Sequence, residues 1–392
     1  MPSHSGPRSP FARAWQAARD YSLLMIGGAV IALVWANIDY GSYEHLTHPL
    51  HFFVNDIAMA FFFGLAAKEI IEATAPGGAL HSLRRAAVPV IAAVGGMAGP
   101  ALLYIAIAYL VDRPDIVRGW AIPCATDIAF SYLVARIVFP ATSPAIPFLL
   151  LLAIADDAMG LILLAVFYPS APLQPGYFVV LVGAACAVAL VLRRRRTMSF
   201  WLYLLGPGVL SWWGFYLGGL HPALALVPVL PFLPHARRDP TLSVDAAHPL
   251  HDPLTEFEHW WKLPVEIILF FFALTNAGVP VGTVGIVTWI VLVALVAGKP
   301  AGIAAATWLA ELAGLQRPAG LLWSELWIVG VTAGIGFTVA LFFTTAAFSP
   351  GMTLDQAKLG ALLSVSAGAI AIGAAKLLKV GRTAMAASGG MA

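Results

Sequence analysis

The chain has 392 residues, 60% hydrophobic and 11% charged, with a formal net charge of +2. Soluble domains carry about 25% charged residues, so this composition excludes an ordinary water-soluble protein and indicates an all-α membrane protein. A charge so close to neutrality says little about partners; no nucleic-acid partner is expected, and the lipid bilayer is the surrounding medium.

Apolar runs of spanning length recur from end to end, and about twelve fit at ~20 residues each. They fall at 21–36, 50–73, 86–110, 117–138, 145–168, 177–192, 199–216, 221–234, 258–280, 286–312, 323–348 and 356–379. Residues 1–20 and 381–392 read as tails, and 21–380 as one polytopic domain. The first run follows a basic flank like a signal peptide, but no A-x-A-like site closes it, so it reads as a retained helix. Pro240 to Pro253 reads as the main loop between two halves.

Basic residues gather on one set of joints: Arg8, Arg13 and Arg19, Arg84-Arg85, Arg136, Arg193 to Arg196, Arg237-Arg238, Arg317, and Lys376, Lys379 and Arg382. The opposite set holds only Arg113, Arg118 and Lys358. By the positive-inside rule both termini are expected in the cytoplasm, with an even number of spans. Arg193 to Arg196 is more simply a topology determinant than a lipid site. Cys124 and Cys186 fall in apolar spans and read as small core residues.

Two spans look interrupted. Span four carries Pro123-Cys-Ala-Thr-Asp127, and span eleven carries Gly330-Val-Thr-Ala-Gly-Ile-Gly-Phe-Thr338. Proline removes a donor, and glycine frees the backbone from helical geometry. Unwound backbone at membrane depth is tolerated where it lines a cavity or is buried in protein. Broken spans in corresponding halves point to a transporter's binding site, here at Thr126, Asp127, Gly334, Gly336 and Thr338. Close packing by small residues is the plainer alternative.

Four charges lie at membrane depth: Asp127, Asp156, Asp157 and Lys299. A carboxylate at the centre of a spanning helix costs roughly 2.5–3.5 kcal/mol on insertion scales, so adjacent Asp156 and Asp157 demand compensation. Helical neighbours point about 100° apart, so the two face different surroundings. A buried lysine pairs economically with one carboxylate. Asp156–Lys299 with Asp157 as the free carrier is the favoured arrangement, although the residues alone leave the choice of aspartate open. A carboxylate in a semi-dry cavity holds protons more readily than in water. Its oxygens also suit a hard cation such as sodium, so proton and cation compete for one site. Asp127 can offset opposing partial charges where helix ends meet, and Thr126 can add an oxygen ligand.

Weaker signals remain. His45, His48 and His51 are spaced three apart but read as ordinary surface histidines. Glu258-His259 and His221 are candidate pH-sensing groups, as are Glu69 and Glu72 on one face of span two; interfacial polar residues are the equal alternative.

Together these residues resemble the NhaA family of bacterial sodium/proton antiporters, itself a standard instance of inverted repeats and broken helices. The blocks that carry it are Pro89-Val-Ile-Ala-Ala-Val-Gly-Gly-Met97, Gly119-Trp-Ala-Ile-Pro-Cys-Ala-Thr-Asp-Ile-Ala-Phe130, Ala153-Ile-Ala-Asp-Asp157, Asn276-Ala-Gly278, Gly298-Lys-Pro300 and Gly334-Ile-Gly-Phe-Thr338. The resemblance implies twelve transmembrane helices and inverted three-helix repeats at spans three to five and ten to twelve, with spans four and eleven broken and crossing. It implies that Asp157, with Asp156, binds sodium and protons and that Asp156 pairs with Lys299. Thr126 and Asp127 complete the site, and Glu258 and His259 serve pH activation. It further implies electrogenic exchange of sodium or lithium for protons in the inner membrane, for pH and sodium homeostasis, by a secondary transporter rather than an enzyme, with no cofactor. The chain departs from the family in two places. Gly64-Leu-Ala-Ala-Lys68 places Ala66 where the family has an acid. The joint 38–49 is short for the β-hairpin through which the family forms homodimers.

Two rival classes are an intramembrane aspartyl protease using Asp127 and Asp156, and a passive cation channel. The first lacks a Gly-x-Gly-Asp run and has no use for Lys299. The second usually needs an acidic ring from symmetric subunits.

Overall fold

A computed structural model describes residues 23–81, 83–235 and 252–380. The expected tails and most of the loop from Pro240 to Pro253 lie outside the described residues. Among the described residues the chain is all helical, with no strand.

In order, the elements begin with α1 (Leu23–Ile38), α2 (Tyr40–Thr47), α3 (Leu50–Thr74) and α4 (Leu83–Leu110). A 3-10 helix, Pro114–Cys124, then leads into α5 (Ile128–Val138). α6 (Ala145–Phe167), α7 (Pro175–Arg194), α8 (200–218) and α9 (Pro253–Asn276) follow. The chain ends with α10 (Ile286–Leu312), α11 (Trp323–Ala333), α12 (Phe337–Ala347) and α13 (Met352–Leu377). Six of the described helices are long and apolar enough to cross a membrane, and the two bent pairs would bring the number to eight. The chain is a multi-pass α-helical membrane protein.

One expected span is not a continuous α-helix. Residues 221–234 form two short 3-10 turns, Pro222–Leu224 and Leu230–Phe232, joined by hydrogen-bonded turns. Pro222, Pro228, Pro231 and Pro234 recur too closely for an uninterrupted ladder, since each removes a backbone donor. The short joint after α1 is helical: α2 fills it, capped by Asp39, whose carboxylate accepts from the Ser42 amide at 3.1 Å.

The interrupted spans are interrupted in the structure. The 3-10 helix and α5 meet at a 57° bend across residues 125–127, and α11 and α12 at a 50° bend across 334–336. α4 and α10 are the main packing partners beside these breaks. They approach through Gly95 and Gly99 against Gly298 and Gly302, where a Cβ on Gly99 would come 2.7 Å from Gly302 Cα. Small residues allow such close backbone contact. α10 carries a π turn at Ala294–Gly298, immediately before Lys299. π turns shift the facing of the residues that follow and often accompany functional sites.

Candidate functional site

The two breaks cross each other. The Asp127 amide donates to the Ile335 carbonyl at 2.7 Å, and the Ser131 hydroxyl donates to the Thr332 carbonyl at 2.9 Å. Thr126 Oγ1 lies 3.0 Å from the Ala333 carbonyl and 2.7 Å from Asp156 Oδ2. Carbonyls orphaned at the end of α11 are therefore met by donors from the other broken span, as buried helix ends require.

Asp127 meets the opposite polarity. Its Oδ1 accepts from the Phe130 amide at the start of α5, 3.3 Å away. Its Oδ2 accepts from the Thr338 amide at 3.2 Å and from the Thr338 hydroxyl, at the start of α12. One buried carboxylate thus serves two helix N-termini, where partial positive charge favours it. Ser364 closes the second break, accepting from the amides of Gly336 and Phe337 at 3.2 and 3.3 Å.

Gly334 and Gly336 act here through size, not through backbone freedom. Their φ values are −68° and −94°, open to any residue. A Cβ on Gly334 would instead sit 2.6 Å from the Leu295 carbonyl oxygen, and one on Gly336 3.2 Å from the Leu295 side chain. The expectation of unusual backbone is corrected to one of close packing.

Asp156 and Asp157 leave α6 in different directions. Asp156 is buried and its Oδ2 lies 2.9 Å from Lys299 Nζ, with the lysine fully buried. Lys299 also donates to the Cys124 carbonyl. Asp156 Oδ1 is buried and accepts no hydrogen bond among the described residues. Asp157 is half-buried and opens onto a cavity of about 250 Å³, with Thr126, Asp127 and Thr338 in the same wall. Behind it a chamber of about 20 Å³ touches both aspartates, Ala66 and Gly160.

The cavity's other end is charged. Lys68, on α3, pairs with Glu72 at 2.7 Å and with Glu258 of α9. Glu69, Lys262 and Glu266 also line the wall. Lys262 and Glu266 are not among the residues the sequence singles out, and Lys68 figures there only as the end of the Gly64-Leu-Ala-Ala-Lys68 segment. The signal was present as spacing: Glu258, Lys262 and Glu266 recur every four residues, one face of a helix. Ser364 gave no such signal.

Other candidates lie elsewhere. His259 is exposed and does not line the cavity, although Glu258 does. His221 is buried against the Phe342 ring, with its Nδ1 3.8 Å from Asp56 Oδ1, and is not part of the cavity wall. His45, His48 and His51 form no metal cluster with other described residues. Both cysteines are free thiols. The two aspartates of the protease reading are each engaged elsewhere, Asp127 with Thr338 and Asp156 with Lys299.

Crossed broken helices with a neutralised carboxylate at the crossing, and a second carboxylate open to a charged cavity, define a polytopic membrane protein built around a buried ionic centre. A family model described as Na+/H+ antiporter 1 matches residues 12–377. A protein named Na(+)/H(+) antiporter NhaA from Jannaschia sp. is 46% identical, over 94% of this chain and 98% of its own. Relatives from Pelobacter propionicus and Desulfitobacterium hafniense, named NhaA 1 and NhaA, are each 45% identical, over 93% and 92% of this chain and 97% and 95% of theirs. The chain belongs to the NhaA family of sodium/proton antiporters.

Proposed function

We propose that this protein exchanges sodium or lithium for protons across the bacterial inner membrane, expelling sodium and serving pH and sodium homeostasis. The observation that carries this reading is the division between adjacent carboxylates. Asp156 is paired with Lys299, while Asp157 makes no ion pair or hydrogen bond with a described residue and faces the cavity. Asp157 is the carrier, taking either a cation or protons. Thr126, Asp127 and Asp156 complete its surroundings, and Lys299 pairs with Asp156. Sodium and protons are substrates; no cofactor takes part.

Family membership and the two bends support a twelve-span architecture with inverted repeats, one around α4 to α6 and one around α10 to α13. The positive-inside pattern of the basic residues supports cytoplasmic termini and a cavity mouth on the same side. The exchange is electrogenic, with more than one proton per cation, so the membrane potential contributes about 2.3 kcal/mol per charge per 100 mV. Glu258, His259 and His221 tune activity with pH. A homodimer is part of this reading; the helical joint α2 leaves it without a hairpin among the described residues.

Everted vesicles carrying the protein and an acid interior test the proposal. Addition of sodium should dissipate the pH gradient, and Asp157→Asn should not support that response. A gradient that sodium leaves intact across neutral and alkaline pH ends the proposal.

A further inference from the structure

α3 presents Phe62, Leu65, Ala66 and Glu69 to the cavity. Spacings of three and four keep these side chains on one helical face. Ala66 stands level with Asp157, because both also line the small chamber behind it. Glu69 follows one turn toward the mouth, about 4.5 Å along the axis at 1.5 Å per residue.

The charges around Glu69 are unevenly committed. Lys68 and Glu72, on its own helix, pair with each other, and Lys68 also holds Glu258 of α9. Lys262 and Glu266 of α9, Asp127 before α5 and Asp157 of α6 share the cavity wall with it. Glu69 itself makes no hydrogen bond or ion pair with a described residue, and its side chain stays exposed to the cavity. A free carboxylate in a cleft with low-dielectric walls raises the local concentration of cations.

We propose that Glu69 recruits the cation, holding a hydrated sodium ion one turn from Asp157 before the ion sheds water and reaches the carrier. This rests on the antiport reading. It makes Glu69 a positioning residue for cation entry and release, not a member of the dehydrated site.

The test compares the wild type with Glu69→Gln, Glu69→Asp and the double variant Ala66→Glu/Glu69→Gln in everted vesicles, at one pH. Apparent KM for sodium and maximal rate are read at low and high choline chloride, with protein amounts matched. Glu69→Gln should raise KM roughly threefold to tenfold at low ionic strength, the scale of one charge acting through partly aqueous surroundings. Its maximal rate should stay within about twofold, and the KM effect should shrink as salt shortens screening to about 8 Å. Glu69→Asp should remain near wild type. The double variant, which moves the carboxylate one turn inward, should recover much of the lost affinity. An unchanged KM in Glu69→Gln, a lost maximal rate at constant KM, or a KM rise indifferent to salt would each overturn the proposal. These outcomes presuppose a wild type that responds to sodium; an unresponsive wild type would overturn the antiport reading and this inference together.

Discussion

Lys299 Nζ lies 2.9 Å from Asp156 Oδ2, with the two side chains 0% and 1% exposed. Removing two full charges from water is costly, and the gain from pairing them roughly offsets that cost. The pair is therefore more informative about role than about net stability. It occupies Asp156, while its neighbour Asp157 opens onto the cavity without an ion pair among the described residues.

Breaking that pair from either side should be strongly destabilising, because an uncompensated charge remains in the core. Lys299→Ala and Asp156→Asn are each expected to cost about 3–5 kcal/mol. The double variant should lose clearly less than the sum of the singles, since contacting residues couple. Thermal unfolding in detergent measures all three. Additive losses, or singles indistinguishable from wild type, would show that the pair does not hold in solution.

The site was legible in sequence where chemistry conflicts with environment. Asp127, Asp156, Asp157 and Lys299 stand out because charge at membrane depth is expensive. The bends were legible too, from Pro123 and from the glycines of 330–336. The meaning of those glycines was not, because their constraint is the Leu295 carbonyl, far away in the chain. Ser364 was silent for the same reason: a serine in an apolar helix declares nothing until the Gly336 amide is placed beside it. Residues 221–234 were misjudged because hydropathy counts apolar side chains and ignores the donors that four prolines remove.

Gly334 gives a direct test of the packing account. Gly334→Ala puts a methyl group 2.6 Å from a backbone oxygen, where neither helix can yield cheaply. Overpacking of this kind costs about 1–3 kcal/mol. Gly373→Ala is the control, since a Cβ there meets nothing within 4 Å. Unfolding temperature should fall for the first and hold or rise for the second. Equal behaviour of the two would return the role of Gly334 to backbone freedom.

Thr338→Val keeps the side chain's shape while removing the hydroxyl that donates to Asp127. A buried carboxylate then loses one of its donors, for an expected loss of about 1–3 kcal/mol. Thr338→Ser, which retains the hydroxyl, should recover most of that loss. Unfolding in detergent separates the two. A valine variant as stable as the serine variant would mean that the amides of Phe130 and Thr338 suffice for Asp127.

Sodium and protons should exclude one another at Asp157. The carboxylate opens on the cavity while Asp156 stays paired, so a cation entering that wall meets the same oxygens a proton would occupy. Lowering the pH through the site's titration range raises proton occupancy and must raise the apparent KM for sodium. One competing proton gives about tenfold per pH unit, the ratio that corresponds to 1.36 kcal/mol. More than one competing proton gives a steeper dependence. At saturating sodium the proton's effect on binding should vanish, and activity should then report only the steps that follow. Vesicle assays over a grid of sodium concentration and pH measure this. A KM independent of pH, with maximal rate alone falling in acid, would place the proton and the cation on separate groups.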